Sequence, residues 1–117
     1  MQEKEYLVRP LREQHCLDVE VPGSKSITNR ALLLAAMGEG ACTLHGVLFS
    51  EDSRAFLQCL QQLGFSLYID ETEKRVTIQG TGGMIPNRTA AIHVGSAGTA
   101  ARFLTVFLAF AGGDYQL

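Results

Sequence analysis

Tryptophan is absent from this chain, and aromatic residues make up only 8% of its 117 residues. So few aromatic side chains are a poor platform for stacking nucleic-acid bases. The formal net charge of −2 also argues against nucleic-acid partners, because a chain without excess basic residues releases few counterions on binding. The longest uncharged apolar stretch, residues 103–113, is too short to span a bilayer. These absences predict a protein with neither nucleic-acid nor membrane partners.

Cysteine is scarce, and its spacing suggests no pairing. Cys16, Cys42 and Cys59 are odd in number, lie far apart and include no Cys-x-x-Cys pair. This spacing suits reduced thiols in a cytoplasmic protein better than a disulfide framework or a zinc site. The first residues are not followed by the apolar stretch of a secretory signal. With 46% hydrophobic residues, the chain is expected to form one cytoplasmic globular domain with a core.

Two cations stand where a helix is predicted to begin. Lys25 and Arg30 follow Gly23 and Ser24, and an apolar run at residues 31–37 comes next. A helix N-terminus already carries partial positive charge, so cations in its first turns are mildly unfavourable. Backbone N–H groups, hydroxyls, a lysine and an arginine would together bind phosphate or carboxylate oxygens. The segment predicts a site for a small anion, against the alternatives of a solvated Lys25 and an Arg30 that covers apolar surface.

The pattern of apolar, glycine and proline residues predicts an α/β chain. Its order is βαβαββ, followed by the beginning of another βα. The predicted elements are strands at residues 5–8 and 15–21, a helix at 26–37, a buried strand at 41–48, a helix that Ser50 opens and Gly64 closes, a hairpin of 65–69 with 75–78, a strand at 91–94 and a helix at 98–111.

Two loops share a pattern at an offset of 72 residues. Residues 23–24 and 95–96 are both Gly-Ser after a predicted strand, and Arg30 or Arg102 lies seven residues beyond each glycine. So few shared positions are weak evidence alone, but the common strand-loop-helix context favours an internal repeat. The chain then contains one complete unit and the beginning of a second. Because the helix at 98–111 is apolar on all sides and needs burial all round, we expect the sequence to be part of a longer protein.

The second loop offers further candidates for anion binding. Gly98 lacks a Cβ, which permits a ligand to approach its backbone closely. Thr99 is predicted to be the N-cap of the last helix. Arg102 lies on a very apolar helix, where an unpaired charge is costly, so it is expected to need a carboxylate or an anionic ligand. Between the loops, Glu51 and Asp52 are interpreted as acids that favour the start of a helix. Neither loop has the spacing of a P-loop or of a dinucleotide-binding fingerprint.

Both loops resemble those of a known enzyme family. Residues 21–32 read Val-Pro-Gly-Ser-Lys-Ser-Ile-Thr-Asn-Arg-Ala-Leu, residues 48–52 read Leu-Phe-Ser-Glu-Asp, and residues 95–102 read Gly-Ser-Ala-Gly-Thr-Ala-Ala-Arg. They resemble the 5-enolpyruvylshikimate-3-phosphate (EPSP) synthases, and the resemblance covers essentially the whole chain. It implies an inside-out barrel of two domains built from six βαβαββ units. Residues 1–22 would contribute a hinge and strands that pair with a C-terminal domain, and residues 23–117 part of the N-terminal substrate-binding domain.

The resemblance also implies a reaction and roles for the loop residues. EPSP synthases transfer the enolpyruvyl group of phosphoenolpyruvate to the 5-hydroxyl of shikimate-3-phosphate and release phosphate, in the shikimate pathway of aromatic amino acid biosynthesis. The resemblance implies no metal and no organic cofactor. By resemblance, Lys25 would be catalytic and contact both substrates, Ser26 and Arg30 would hold shikimate-3-phosphate, Gly98 would present its backbone to phosphoenolpyruvate, and Ser96, Thr99 and Arg102 would shape that second loop.

Two residues depart from the family pattern. Ser96 stands where the family commonly has Asn, and Phe103 where many members have Pro. This chain alone is expected to be inactive, because the residues of the opposite domain are not in it, and its uncovered apolar surface is expected to favour self-association. Two alternatives stay open: a stand-alone anion-binding α/β module without catalysis, and a relative of UDP-N-acetylglucosamine enolpyruvyl transferase, whose first loop differs in sequence.

Overall fold

The chain reaches its first helix through a segment without regular secondary structure. The computed structural model describes residues 4–10, 16 and 18–117, and those before Lys25 form neither helix nor strand. The prediction of a strand at residues 5–8 is therefore wrong, as is that of a strand at 15–21 for its described residues; His15 and Leu17 lie outside the described residues. A strand needs a neighbour that satisfies its backbone groups, and no described segment pairs with this one.

The first helix, α1 (Lys25–Met37), is the predicted one. The Ser24 side chain accepts a hydrogen bond from the backbone N–H of Ile27, which caps the N-terminus. At the other end the N–H of Gly38 donates to the carbonyl of Leu34. A serine cap and a glycine therefore define the two ends of α1.

A three-stranded antiparallel sheet follows α1. It contains β1 (Glu39–His45), β2 (Leu67–Asp70) and β3 (Arg75–Thr81) in the order β1-β3-β2. The pairing of β2 with β3 confirms the predicted hairpin. The strand predicted at 41–48 is observed as β1, which begins two residues earlier and ends at His45, but its expected burial is wrong, because six of the seven β1 residues are exposed. Strand β1 lies at the edge of this sheet, and α1 packs mainly over the central strand β3.

The second helix, α2 (Glu51–Gln62), begins at a capping box. The Ser50 side chain accepts from the N–H of Ser53, and the Ser53 hydroxyl accepts in return from the N–H of Ser50. That hydroxyl also donates to the carbonyl of Leu48 at 2.6 Å. The helix ends at Leu63, and Gly64 follows in the left-handed region with φ +93°. Both predicted ends of α2 are confirmed.

The remainder is a βαβ arrangement: β4 (Thr89–Ala91), α3 (Gly98–Ala111) and β5 (Asp114–Gln116). Strands β4 and β5 pair in parallel, and β5 was not predicted. The prediction that Thr99 caps α3 is wrong. Ala97 occupies the N-cap without a side-chain hydrogen bond, because a turn from the N–H of Ala97 to the carbonyl of Val94 starts the helix earlier.

One hydrophobic core joins the two parts of the fold. Leu32 of α1, Phe56 of α2 and Leu104 of α3 are fully buried in the same cluster, and the rings of Phe65 and Phe107 lie 6.0 Å apart. The described order is αβαββ followed by βαβ, so the first strand of the predicted βαβαββ unit is not formed. No helix in the described part of the chain combines the length and apolar character needed to cross a membrane.

Candidate functional site

The first loop is held against the segment that leads into α2. A Cβ at Gly23 would overlap the backbone oxygen of Gly46, so the close approach of these two backbones requires glycine. One turn into α1, the hydroxyl of Thr28 accepts a hydrogen bond from the N–H of Leu48 at 3.2 Å. The N-terminus of α1, with its unsatisfied N–H groups, therefore lies beside the start of α2.

Lys25 is the first residue of α1, and its ammonium forms an ion pair with Asp52. Asp52 is in the first turn of α2, and its side chain is 18% exposed, against 54% for Lys25. Lys25 is therefore not simply a solvated lysine. From the sequence, Asp52 was interpreted only as an acid at the start of a helix. The signal for its contact with Lys25 is the Ser-Glu-Asp sequence, which opens a helix between two cationic loops.

Arg30 extends from α1 towards α3. Its Nη1 donates to the carbonyl of Ser26 at 3.1 Å, and its guanidinium carbon lies 5.9 Å from the ring centroid of Phe103. This is the range of a cation–π contact, which orients the guanidinium and leaves it accessible. Arg30 and Ser26 are both exposed, so the donors that the sequence pointed to on α1 face solvent, where an anion could reach them.

The second loop packs over the first turn of α2. A cavity of about 180 Å³ lies between them. Ser96 is exposed in this loop, and Gly98 begins α3 with open space where its Cβ would be. Packing therefore does not require glycine at position 98. The open space beside this residue is consistent with a backbone that a ligand approaches. The cavity is lined by Glu51, Asp52, Ala55, Val94, Gly95, Ser96 and Ala97.

Arg102 lacks the carboxylate partner among the described residues, and the anionic ligand expected for it stays a prediction. Arg102 is exposed on α3, and in the part of the chain that the structure describes no carboxylate forms an ion pair with it. Because water hydrates the guanidinium, the cost of an unpaired charge does not arise. Thr99, its neighbour one turn earlier, is half-buried in the first turn of α3.

Asn29 is a polar residue of α1 that sequence reasoning missed. Its side chain is fully buried, and neither its amide oxygen nor its amide nitrogen has a hydrogen-bond partner among the described residues. Burying an unsatisfied amide costs roughly 1–3 kcal/mol. In the sequence it is marked only by its position between Lys25 and Arg30 in the polar first half of α1.

Cys59 is excluded as a nucleophile. Burial raises the pKa of its thiol, and its sulfur lies 3.7 Å from the carbonyl oxygen of His93. A thiol with a raised pKa stays protonated and unreactive. This residue packs in the core.

The structure thus brings the two loops together through one shared element. Lys25, Ser26 and Arg30 lie on the first turns of α1, while Ser96 and Gly98 lie at the start of α3. Asp52 forms an ion pair with Lys25 of α1 and also lines the cavity under the loop that leads into α3. Two cation-bearing helix N-termini that open beside each other can bind anionic groups.

A family model described as EPSP synthase (3-phosphoshikimate 1-carboxyvinyltransferase) matches residues 15–117. The 3-phosphoshikimate 1-carboxyvinyltransferase of Trichormus variabilis is 50% identical over 99 residues, covering 85% of this chain and 23% of the relative. That of Neisseria meningitidis is 51% identical over 100 residues, with the same two coverages. The relative from Thiobacillus denitrificans is 45% identical over 113 residues, covering 97% of this chain and 26% of the relative.

The structure resembles an EPSP synthase from Acinetobacter baumannii with a TM-score of 0.66 and 32% identity. The match covers 77% of this chain and 20% of that one. It confirms the predicted α/β fold class as a piece of the enolpyruvyl transferase fold. The chain spans about a quarter of the length of the curated relatives it matches.

Proposed function

The chain belongs to the EPSP synthase family, and from this premise we propose that it forms part of a 3-phosphoshikimate 1-carboxyvinyltransferase site. The reaction would join the 5-hydroxyl oxygen of shikimate-3-phosphate to C2 of phosphoenolpyruvate and then eliminate phosphate. The observation that carries the proposal is the shared wall of the two loops: Asp52 pairs with Lys25 and lines the cavity beneath residues 94–97. Two anionic substrates that lie side by side need hydrogen-bond donors that are adjacent, as the donors at the starts of α1 and α3 are.

Each donor has a role in this proposal. Lys25 contacts both substrates, Ser26 and Arg30 hold shikimate-3-phosphate, and Gly98 presents its backbone to phosphoenolpyruvate. Preorganised cations and N–H groups favour a transition state in which charge develops on oxygen. The reaction requires no metal and no organic cofactor. Around Gly98, the second loop is shaped by Ser96, Thr99 and Arg102.

The chain is proposed to supply one side of the site and to be inactive alone. Residues 1–22, whose described part forms no strand in this chain, would form a hinge and would become strands only by pairing with a C-terminal domain. Residues 23–117 would form part of the substrate-binding domain. Closure of two such domains would exclude water from the reacting groups. We place the protein in the cytoplasm, which agrees with its three free cysteines and with the absence of a disulfide among the described residues. The uncovered face of α3 favours self-association of this chain.

The proposal is tested by replacing Lys25 in an active enzyme. This chain replaces the matching segment of the Trichormus variabilis relative, which gives a full-length protein called here the exchanged enzyme. Phosphate release that depends on both substrates is then measured. Lys25→Met is expected to lower kcat/KM by at least ~10²-fold, the magnitude of one lost electrostatic contact in a closed site. Lys74→Met, an exposed lysine on the β2–β3 turn, is the matched control and should change it less than about 2-fold.

Three outcomes would count against the proposal. Near-normal kinetics of Lys25→Met would remove this residue from the site. Turnover by the chain alone would contradict its role as one side of a larger site. Substrate binding by an exchanged enzyme that cannot turn over would favour a binding module without catalysis.

A further inference from the structure

Asp52 lies where its charge acts on both loops. It occupies the first turn of α2, forms the ion pair with Lys25, and lines the cavity under the second loop with Ser96. The Asp52 side chain is mostly buried. Its neighbour Glu51 is exposed and forms no ion pair among the described residues. Both acids line this cavity, and what distinguishes Asp52 is its ion pair with Lys25 and its lower exposure.

The electrostatics of the two helices favour this pair. Lys25 is at the N-terminus of α1, where the helix dipole repels a cation, so without a partner its ammonium would extend into solvent. Asp52 is at the N-terminus of α2, where the dipole favours a carboxylate. The ion pair joins the disfavoured cation to the favoured anion, and the partial burial of Asp52 reduces screening by water.

The contact also sets the direction of the Lys25 side chain. A lysine has four rotatable side-chain bonds and reaches its ligands as a flexible point charge. An ammonium bound to Asp52 is held beside a residue that lines the cavity under the second loop, although Lys25 itself is not part of that lining. The direction of one cation is thereby fixed before any ligand arrives, which lowers the ordering cost of binding and of the reaction.

We propose that Asp52 is a positioning residue for Lys25: it holds the ammonium between the two anion loops so that one cation serves both substrates. This inference rests on the proposed function for its catalytic consequence, but the contact itself can be tested without it. Removing the carboxylate has two opposite effects on anion binding, because it removes a negative charge beside the site and also releases Lys25 from its place. These effects offset each other in binding, whereas turnover loses the placement of Lys25 without compensation. Asp52 therefore acts on kcat more than on KM.

The contact is tested first on this chain by lysine modification. Acetic anhydride at limiting concentration labels each lysine at a rate that mass spectrometry reads by peptide, with Lys74 as an internal reference. An amine in an ion pair must break that contact before it reacts, so Asp52→Asn should raise Lys25 labelling about 3-fold or more relative to Lys74. Glu51→Gln, which removes the same charge from the same helix turn, should change it less than about 1.5-fold, and Asp52→Glu should restore slow labelling.

The catalytic role is tested in the exchanged Trichormus variabilis enzyme by a double-mutant cycle. Asp52→Asn should lower kcat about 10-fold or more while KM for phosphoenolpyruvate rises less than about 3-fold. In the Lys25→Met background Asp52→Asn should have no further effect, because residues that act through one contact are not additive. Urea unfolding of Asp52→Asn should match that of Glu51→Gln, which separates positioning from a fold defect.

Each outcome bears on one of the two inferences. Unchanged Lys25 labelling in Asp52→Asn, or a full additive loss of kcat in the Lys25→Met background, overturns the positioning role. Normal turnover of Lys25→Met refutes the proposed function of Lys25 instead, while the labelling result continues to report on the ion pair.

Discussion

At the scale of single residues, two glycines of the loops serve different purposes. Gly23 has the backbone oxygen of Gly46 where a Cβ would be, whereas a Cβ at Gly98 would meet no atom within 4 Å. The first glycine is therefore required by packing, and the second leaves a backbone surface open. In the sequence repeat Gly23 matches Gly95, whereas Gly98 matches Ser26.

This difference predicts that an alanine at Gly23 lowers stability, whereas an alanine at Gly98 impairs substrate binding. Gly23→Ala should lower the free energy of unfolding by about 1–3 kcal/mol, because a backbone must move to admit the methyl group. Gly98→Ala should change it by less than about 0.5 kcal/mol and should raise KM for phosphoenolpyruvate about 10-fold in the exchanged enzyme, the equivalent of about 1.4 kcal/mol. Urea unfolding and initial rates measure the two effects. A stable Gly23→Ala variant would contradict the close approach, and an unchanged KM for Gly98→Ala would contradict the backbone contact.

At the scale of secondary-structure elements, α2 organises the site. Its first turn carries Asp52 and forms one wall of the cavity under the second loop, while the N–H of Leu48 just before it donates to Thr28 of α1. The capping box of Ser50 and Ser53 fixes where this turn begins. The start of α2 therefore determines how both loops face each other.

Ser50→Ala is expected to weaken this start. The substitution removes the oxygen that accepts from the N–H of Ser53 and should lower the free energy of unfolding by about 1 kcal/mol. Ser66→Ala, in the exposed link before β2, should change it by less than about 0.5 kcal/mol. Chemical denaturation of the three proteins checks this. Equal stability of both variants and the unmodified chain would mean that the capping box does not hold the helix start.

At the scale of the whole molecule, one face of the fold lacks a cover. The core joins α1, α2 and α3 on one side, but Phe110 is 88% exposed on the other side of α3, near a cavity of about 310 Å³. An exposed apolar patch of this kind marks a surface that associates. The described residues therefore bury only part of the apolar surface of α3. This cavity is lined entirely by Leu33, Met37, Phe103, Val106, Phe107 and Phe110.

The uncovered face predicts how the chain behaves in solution. Sedimentation velocity should show association that increases with concentration, and Phe110→Arg should weaken it about 10-fold, because a charge is costly to bury without a partner. Tyr68→Arg is the matched control, since Tyr68 of β2 is an aromatic residue with 62% exposure that does not line this cavity. A monomer at all concentrations, or equal effects of both variants, would contradict association through α3.

Local chemistry accounts for most of the elements that were predicted. Caps and glycines define α1 and α2, and an apolar run defines α3, because these signals act within one or two turns. The strand at residues 5–8 and the burial of β1 were wrongly predicted, since both depend on which neighbour lies beside a strand. Strand β5 was missed because three residues carry too little pattern, and it forms only by pairing with β4.

The helices, the two loops and the family to which they belong could be read from the sequence, because specific residues at fixed spacing carry that information. How the loops are used depends on contacts between distant elements in the folded molecule. The tertiary structure joined Lys25 to Asp52, left Arg102 in solvent rather than in an ion pair among the described residues, and buried Asn29 without a partner there. These contacts arise between elements far apart in the chain, so the energy of each depends on burial and neighbours that no local pattern records.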